Sequence, residues 1–200
     1  MTDSASVLAS TEDFDSMMDA VTAHSKAHIA AITAGGKAQQ LQLPAHIATS
    51  RLDAIPIAVK DAFYQYLMDP TLSYISTLSS NISSAAQKAE DSAMSPDDFD
   101  HYCDGQADWA IEQFTKGLNT GRSKLKEIGH EHPDWQTSIL SWFNMTCDFL
   151  LGPRVWGKIL AFINNTVKHF EDWAGKVEGW FHHVSNDVTG WFSNEFGPPA

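Results

Sequence analysis

One row of residues constrains this chain more than any other feature. Every seventh position from Trp135 gives Trp142, Phe149, Trp156, Ile163, Phe170, Val177, Val184 and Trp191, and all are apolar. A companion row, four residues on, reads Ile139, Thr146, Pro153, Leu160, Val167, Ala174, Phe181 and Val188. Alternating steps of three and four place both rows on one helix face, whereas in a strand, where successive residues alternate faces, each step of three would cross to the opposite face. Gly152-Pro153 breaks the companion row and divides the segment into two helices. Beyond Pro153 the pattern continues to about Phe196. As one unbroken helix that stretch would span roughly 64 Å at about 1.5 Å per residue.

The stripe is too wide for a two-stranded seam. Ile159, Trp173 and Trp180 flank one side and Phe192 the other, where a coiled-coil dimer would carry charge. Trp and Phe make a bulky face suited to a multi-helix core, a large partner or a lipid surface. An eleven-residue echo lies inside it: Val177-Glu178-Gly179-Trp180-Phe181 returns as Val188-Thr189-Gly190-Trp191-Phe192. Eleven residues are close to three full turns, so both copies fall on nearly the same face. Gly157, Gly175, Gly179 and Gly190 lie off the stripe and together cost about 4 kcal/mol of helix preference relative to Ala. Such a helix persists only while its apolar face is buried.

Helical spacing also governs the rest of the chain, and strand signals are nearly absent. Phe14, Met17, Met18, Val21, Ile29 and Ile32 outline a first helix, with Thr11 as a candidate cap and Gly35-Gly36 as a stop. Pro56 opens a second helix presenting Val59, Phe63 and Leu67, which Asp69-Pro70 is expected to end. Ile75, Leu78, Ile82 and Ala86 continue the pattern. Ser95-Pro96-Asp97-Asp98 is the clearest helix start, combining a capping hydroxyl, a proline at the first turn and two carboxylates at the positive dipole end. That helix shows Phe99, Cys103, Ala110 and Phe114 to a core and is expected to end near Asn119-Thr120-Gly121. The fold class expected is all-α, a bundle of about six to eight helices with a long amphipathic Trp/Phe-rich C-terminal helix.

Charge and aromatic content are unevenly divided. Six of the seven Trp and seven of the eleven Phe lie after residue 131, whereas most of the acid behind the net charge of −12 lies before it. This suggests an acidic helical bundle over 1–131 and an aromatic-rich amphipathic segment over 132–200, packed on it or exposed for interaction. The acidity and the lack of clustered Lys/Arg argue against nucleic acid as a partner. Two cysteines exclude a disulfide scaffold. The first residues carry no basic stretch followed by an apolar core, so the default expectation is cytoplasmic, with leaderless export or membrane association left open. No uninterrupted run of about 20 apolar residues is present.

Catalytic and metal signals are weak. Glu127 and His130 make a single Glu-x-x-His, where a di-iron bundle uses two such motifs and further carboxylates. His130-Glu131-His132 reads as a loop. His182 and His183 are adjacent and point to different helix faces, so they cannot jointly chelate a metal. No phosphate loop or nucleophile elbow is present. No metal, cofactor or catalytic residue is therefore expected.

The functional expectation is a non-enzymatic protein acting through its C-terminal aromatic face. It would bind membrane or lipid, with pore formation or remodelling as an extension, or assemble with partner helices or further copies of itself. The contact residues would be Trp156, Leu160, Ile163, Phe170, Trp173, Val177, Trp180, Phe181, Val184, Trp191 and Phe192. His169, His182 and His183 would act as pH sensors, since charging all nine histidines moves the formal charge from −12 to −3. Two alternatives remain: a structural or adaptor bundle with the stripe permanently in its core, and an all-α carrier or enzyme enclosing an apolar small molecule.

Overall fold

Helix α1 (Phe14–Thr33) starts where a carboxylate can satisfy its free N–H groups. The Ser16 N–H donates to Asp13 Oδ1 at 2.8 Å, so Asp13 is the cap rather than Thr11. In this computed structural model, residues 13–34, 43, 47, 55–152, 154–166 and 174–199 are described. Among them there is no strand. Five helices of 16 residues or more make up the body of the fold, so the expected count of six to eight is not confirmed.

The second helical stretch does not stop at Asp69-Pro70. Helix α2 (Ile57–Phe63) passes through a π turn (Tyr64–Met68) into α3 (Asp69–Glu90). Proline lacks an N–H and its ring crowds the carbonyl four residues back, which breaks a regular α-helix. Here the backbone widens just before Pro70, and the Asp69 N–H donates to the Tyr64 carbonyl, five residues back. The Thr71 hydroxyl adds a 2.6 Å bond to the Leu67 carbonyl. Proline therefore reshapes the helix without ending it.

Helix α4 (Pro96–Glu131) begins as its sequence indicates, with the Asp98 N–H donating to Ser95 Oγ at 3.1 Å. It does not end at Gly121. It continues to Glu131, so His130 and Glu131 occupy its last turn and only His132 lies beyond it. Gly121 and Gly129 are contact points inside this helix. A Cβ at Gly121 would lie 2.5 Å from Leu67 Cδ2, and one at Gly129 would lie 2.5 Å from Phe14 Cε1. The missing side chains let the π turn and α1 approach the α4 backbone.

Helix α5 (Gln136–Leu151) is the centre of the bundle. Six consecutive residues, Ser138 to Phe143, are buried, and so are Thr146, Cys147 and Phe149 to Leu151. A helix buried on every face needs neighbours all round. Helix α1 runs parallel to it, with Ser25 beside Cys147, and the C-terminal half of α4 runs antiparallel. Helices α6 (Trp156–Thr166) and α7 (Ala174–Phe196) complete the fold.

The expectation of one long helix from Pro153 to Phe196 is overturned. Lys158 Nζ lies 2.9 Å from Asp187 Oδ2, and the rings of Phe162 and Trp180 are stacked. Twenty-nine residues of straight helix would separate Lys158 from Asp187 by about 44 Å. Helices α6 and α7 therefore lie side by side and antiparallel. The 1–131 and 132–200 segments share one core, because α7 packs along α3 and α5 packs along α1.

Candidate functional site

The eleven-residue echo on α7 folds the same way twice. In each copy the Val and Phe are core: Val177, Val188, Phe181 and Phe192 are all at most 1% exposed. In each copy the Trp is half-buried and lies flat on a phenylalanine of another helix. Trp180 stacks on Phe162 of α6, with centroids 4.1 Å apart and planes 11° from parallel. Trp191 makes the equivalent stack on Phe149 of α5. Phe149 and Phe162 stand on opposite sides of the Gly152 break, where a Cβ would collide with the Asp148 carbonyl oxygen. Helix α7 thus spans the break as a splint, holding α5 with one Trp and α6 with the other.

The glycine of each copy has a different character. A Cβ built at Gly179 or Gly190 meets nothing within 4 Å. These residues weaken the helix without allowing any close approach in this conformation. Two open grooves flank α7. One, of about 460 Å³, is lined by Lys158, Ala161, Phe162, Trp180, His183 and Asp187, among others. The other, of about 370 Å³, runs between α7 and a row of serines on α3 that includes Ser76, Ser80 and Ser83.

The C-terminal end of α7 is clamped more firmly. Phe196 stacks on Phe63 at 4.7 Å, and Phe192 meets Tyr64 edge-on. The Tyr64 hydroxyl donates to the Gly197 carbonyl at 2.6 Å. The π turn supplies this hydroxyl, and nothing in the hydrophobic pattern marks it. Phe162 lies outside both apolar rows. Phe196 could have been found from its four-residue step after Phe192.

The expected contact residues fall into three groups. Trp156, Leu160, Ile163, Val177, Phe181, Val184 and Phe192 are buried between helices, so none is a surface contact in this conformation. Trp180 and Trp191 stand at the boundary between core and solvent. Phe170 and Trp173 lie outside the described residues, as does His169. His182 and His183 are exposed; His182 Nδ1 lies 3.2 Å from Asn186 Nδ2, and His183 borders the larger groove.

Other polar groups have structural roles. His130 Nε2 lies 2.9 Å from Asp15 Oδ1, and Glu127 pairs with Lys124. The two residues of the Glu-x-x-His spacing therefore serve separate contacts. Among the described residues no group of three or more His, Cys, Asp or Glu could hold a metal ion. Burial pushes the Cys103 thiol up to about 12, with Asp100 and Asp104 adding to the shift. Burial also raises Cys147, against the opposing hydrogen bond of Ser25. Neither thiol is a nucleophile near neutral pH.

A pocket of about 20 Å³ lies between α3, α4 and α5, lined by residues including Pro70, Tyr74, Phe114 and Thr146. It has room for about one water molecule, and the buried Thr146 hydroxyl beside it has no partner. Among the described residues no helix is long and apolar enough to cross a membrane. The chain matches no protein-family profile, no curated protein and no solved structure.

Proposed function

We propose that this is a non-enzymatic helical protein in which α7 is an interaction element, seated in the bundle and released to engage a lipid interface. One observation carries this reading: the helix with the aromatic face is bordered by open grooves on both flanks, and its Gly179 and Gly190 pack against nothing. Its attachment rests on its apolar face, on two Trp–Phe stacks at the solvent boundary, on the exposed Lys158–Asp187 ion pair and on the Tyr64–Gly197 bond at its end. Once peeled away, it would present Trp180, Phe181, Val184, Trp191 and Phe192 on one amphipathic surface, as interfacial helices do.

Flotation with anionic vesicles at pH 7.4 and 5.0, together with dye leakage, tests the proposal. Vesicle binding is expected with a change in Trp emission as the stacks open, and Trp180→Asp/Trp191→Asp is expected to weaken it. Leakage distinguishes pore formation from surface attachment. Absence of binding at both pH values overturns the reading.

The alternative, a structural or adaptor bundle with a permanent aromatic core, is favoured by a different observation. Val177, Phe181, Val184, Val188, Phe192 and Phe196 are all at most 4% exposed, and the Tyr64 to Gly197 bond fastens the end of α7. In that case Trp emission stays unchanged with vesicles, and any partner meets the outer surface. A carrier of apolar molecules has less support, since the pocket between α3, α4 and α5 accommodates about one water.

A further inference from the structure

Helix α1 carries a buried histidine, far in sequence from the histidines beside the aromatic stripe. His28 is 9% exposed, and its Nε2 is buried without a hydrogen-bond partner. Its neighbours on the same face, Thr22 and Ser25, are also buried polar groups, but each hydroxyl bonds the carbonyl four residues back, at 2.9 and 2.8 Å. His28 has no such outlet at Nε2. One turn earlier lies His24, with ring centroids 6.3 Å apart and planes nearly perpendicular. Across the interface, α5 supplies Cys147 beside Ser25, and Asp148, on whose carboxyl the charge of His24 acts.

We propose that α1 is an acid-released cover over the central helix α5, with His28 as its trigger. A neutral imidazole can leave Nε2 as a lone pair, which is tolerable when buried. Protonation turns that atom into a charged N–H donor with no acceptor. The charged groups around α1 do not offset it. Helix α4 places Arg122, Lys126 and His130 against Asp15 and Asp19, at the other end of α1. Helix α6 also touches α1, and its Lys158 is bonded to Asp187 of α7. The charge that acts on His28 is that of His24, which is repulsive when both rings are protonated.

The sign follows from where each state binds its proton. Burial, aided by His24, holds His28 below its ordinary value of 6.5 in the folded protein. As pH falls below 6.5, the opened form takes up a proton that the closed form resists, so closure weakens about tenfold per pH unit until the folded value is reached. Asp148 acts in the opposite direction. Burial raises its carboxyl despite His24, so acidification relieves some of its own cost. The His28 contribution is therefore isolated by substitution.

Hydrogen exchange of the intact protein without lipid, corrected for the intrinsic pH dependence of exchange, measures the cover directly. From pH 7.4 to about 5.5, protection of amides in the Ser25–Ile32 part of α1 is expected to fall severalfold, up to about tenfold, relative to α3. His28→Phe is expected to abolish that difference, and an NMR titration of the wild-type ring should place His28 below 6.5. Equal α1 protection at both pH values, an unchanged acid response in His28→Phe, or a His28 ring titrating at or above 6.5 overturns the proposal. If His28→Phe does not fold, the ring titration and the wild-type exchange still decide it. Vesicles are absent throughout, so this proposal and the lipid reading fail independently.

Discussion

Trp191 lies flat on Phe149, with ring centroids 4.3 Å apart and planes 6° from parallel, joining helices whose contacting residues are 42 positions apart. The same geometry recurs eleven residues earlier on α7, where Trp180 covers Phe162. Offset aromatic stacks contribute about 0.5–1.5 kcal/mol beyond their buried area. Double-mutant cycles for Trp191→Ala/Phe149→Ala and Trp180→Ala/Phe162→Ala should each give a coupling of about 1 kcal/mol by denaturant unfolding. The crossed pair Trp191→Ala/Phe162→Ala should be additive within about 0.5 kcal/mol. Coupling in the crossed pair would mean that the two stacks are not separate fastenings.

The glycines divide into two sets with opposite expectations. Gly129→Ala forces a methyl group against the Phe14 ring, and Gly121→Ala forces one against Leu67. Each should destabilise by about 1–3 kcal/mol. Gly179→Ala and Gly190→Ala add a methyl in open space and should each stabilise by about 0.5–1 kcal/mol. Thermal unfolding of the four variants measures both signs. The proposed release of α7 adds a second readout, because stiffening that helix in its seat should reduce vesicle binding.

Removing the Tyr64 hydroxyl isolates the C-terminal clamp. Tyr64→Phe keeps the ring contact with Phe192 and loses the bond to the Gly197 carbonyl. A loss of about 1 kcal/mol is expected, with faster amide exchange concentrated in the last turn of α7. Uniform acceleration throughout the bundle would show that the end of α7 is not a separate unit.

Both thiols should resist modification while the protein is folded. Cys103 is fully buried with its ionisation pushed up to about 12, and Cys147 is buried beside Ser25. Labelling with a thiol reagent at pH 8 should be slow in buffer and fast in denaturant, with two groups released on unfolding. Rapid native labelling of Cys147 alone would indicate that α1 opens away from α5 without acid.

The apolar pattern carried the helical class, the Ser95 cap and the division at Gly152-Pro153, because each depends on neighbouring residues. It did not reveal the reversal between α6 and α7. A seven-residue row reads the same in one long helix as in two shorter helices whose faces meet a common core. Pro70 was misleading for a related reason. The rule that proline ends a helix assumes α geometry, and a widened turn evades it. Gly121 looks like a stop because a glycine required for close packing resembles one that terminates a helix. His28 left no mark in the pattern, since its burial is set by α5, more than 100 residues away.

The turn at Tyr64–Met68 can also be read as an insertion that the helix never expelled. A π turn holds about one residue more than an α turn, so the faces of α2 and α3 are out of phase with each other. That offset lets one helical stretch serve two directions: Phe63 and Tyr64 meet the end of α7, while Leu67 meets the backbone of α4 at Gly121. Deleting one residue here would remove the wide turn that accommodates Pro70 and rotate everything before it by about 100°. Phe63 would lose its alignment with Phe196. In this chain the irregularity works as a gear, setting the angular register between two surfaces that no straight helix could address together.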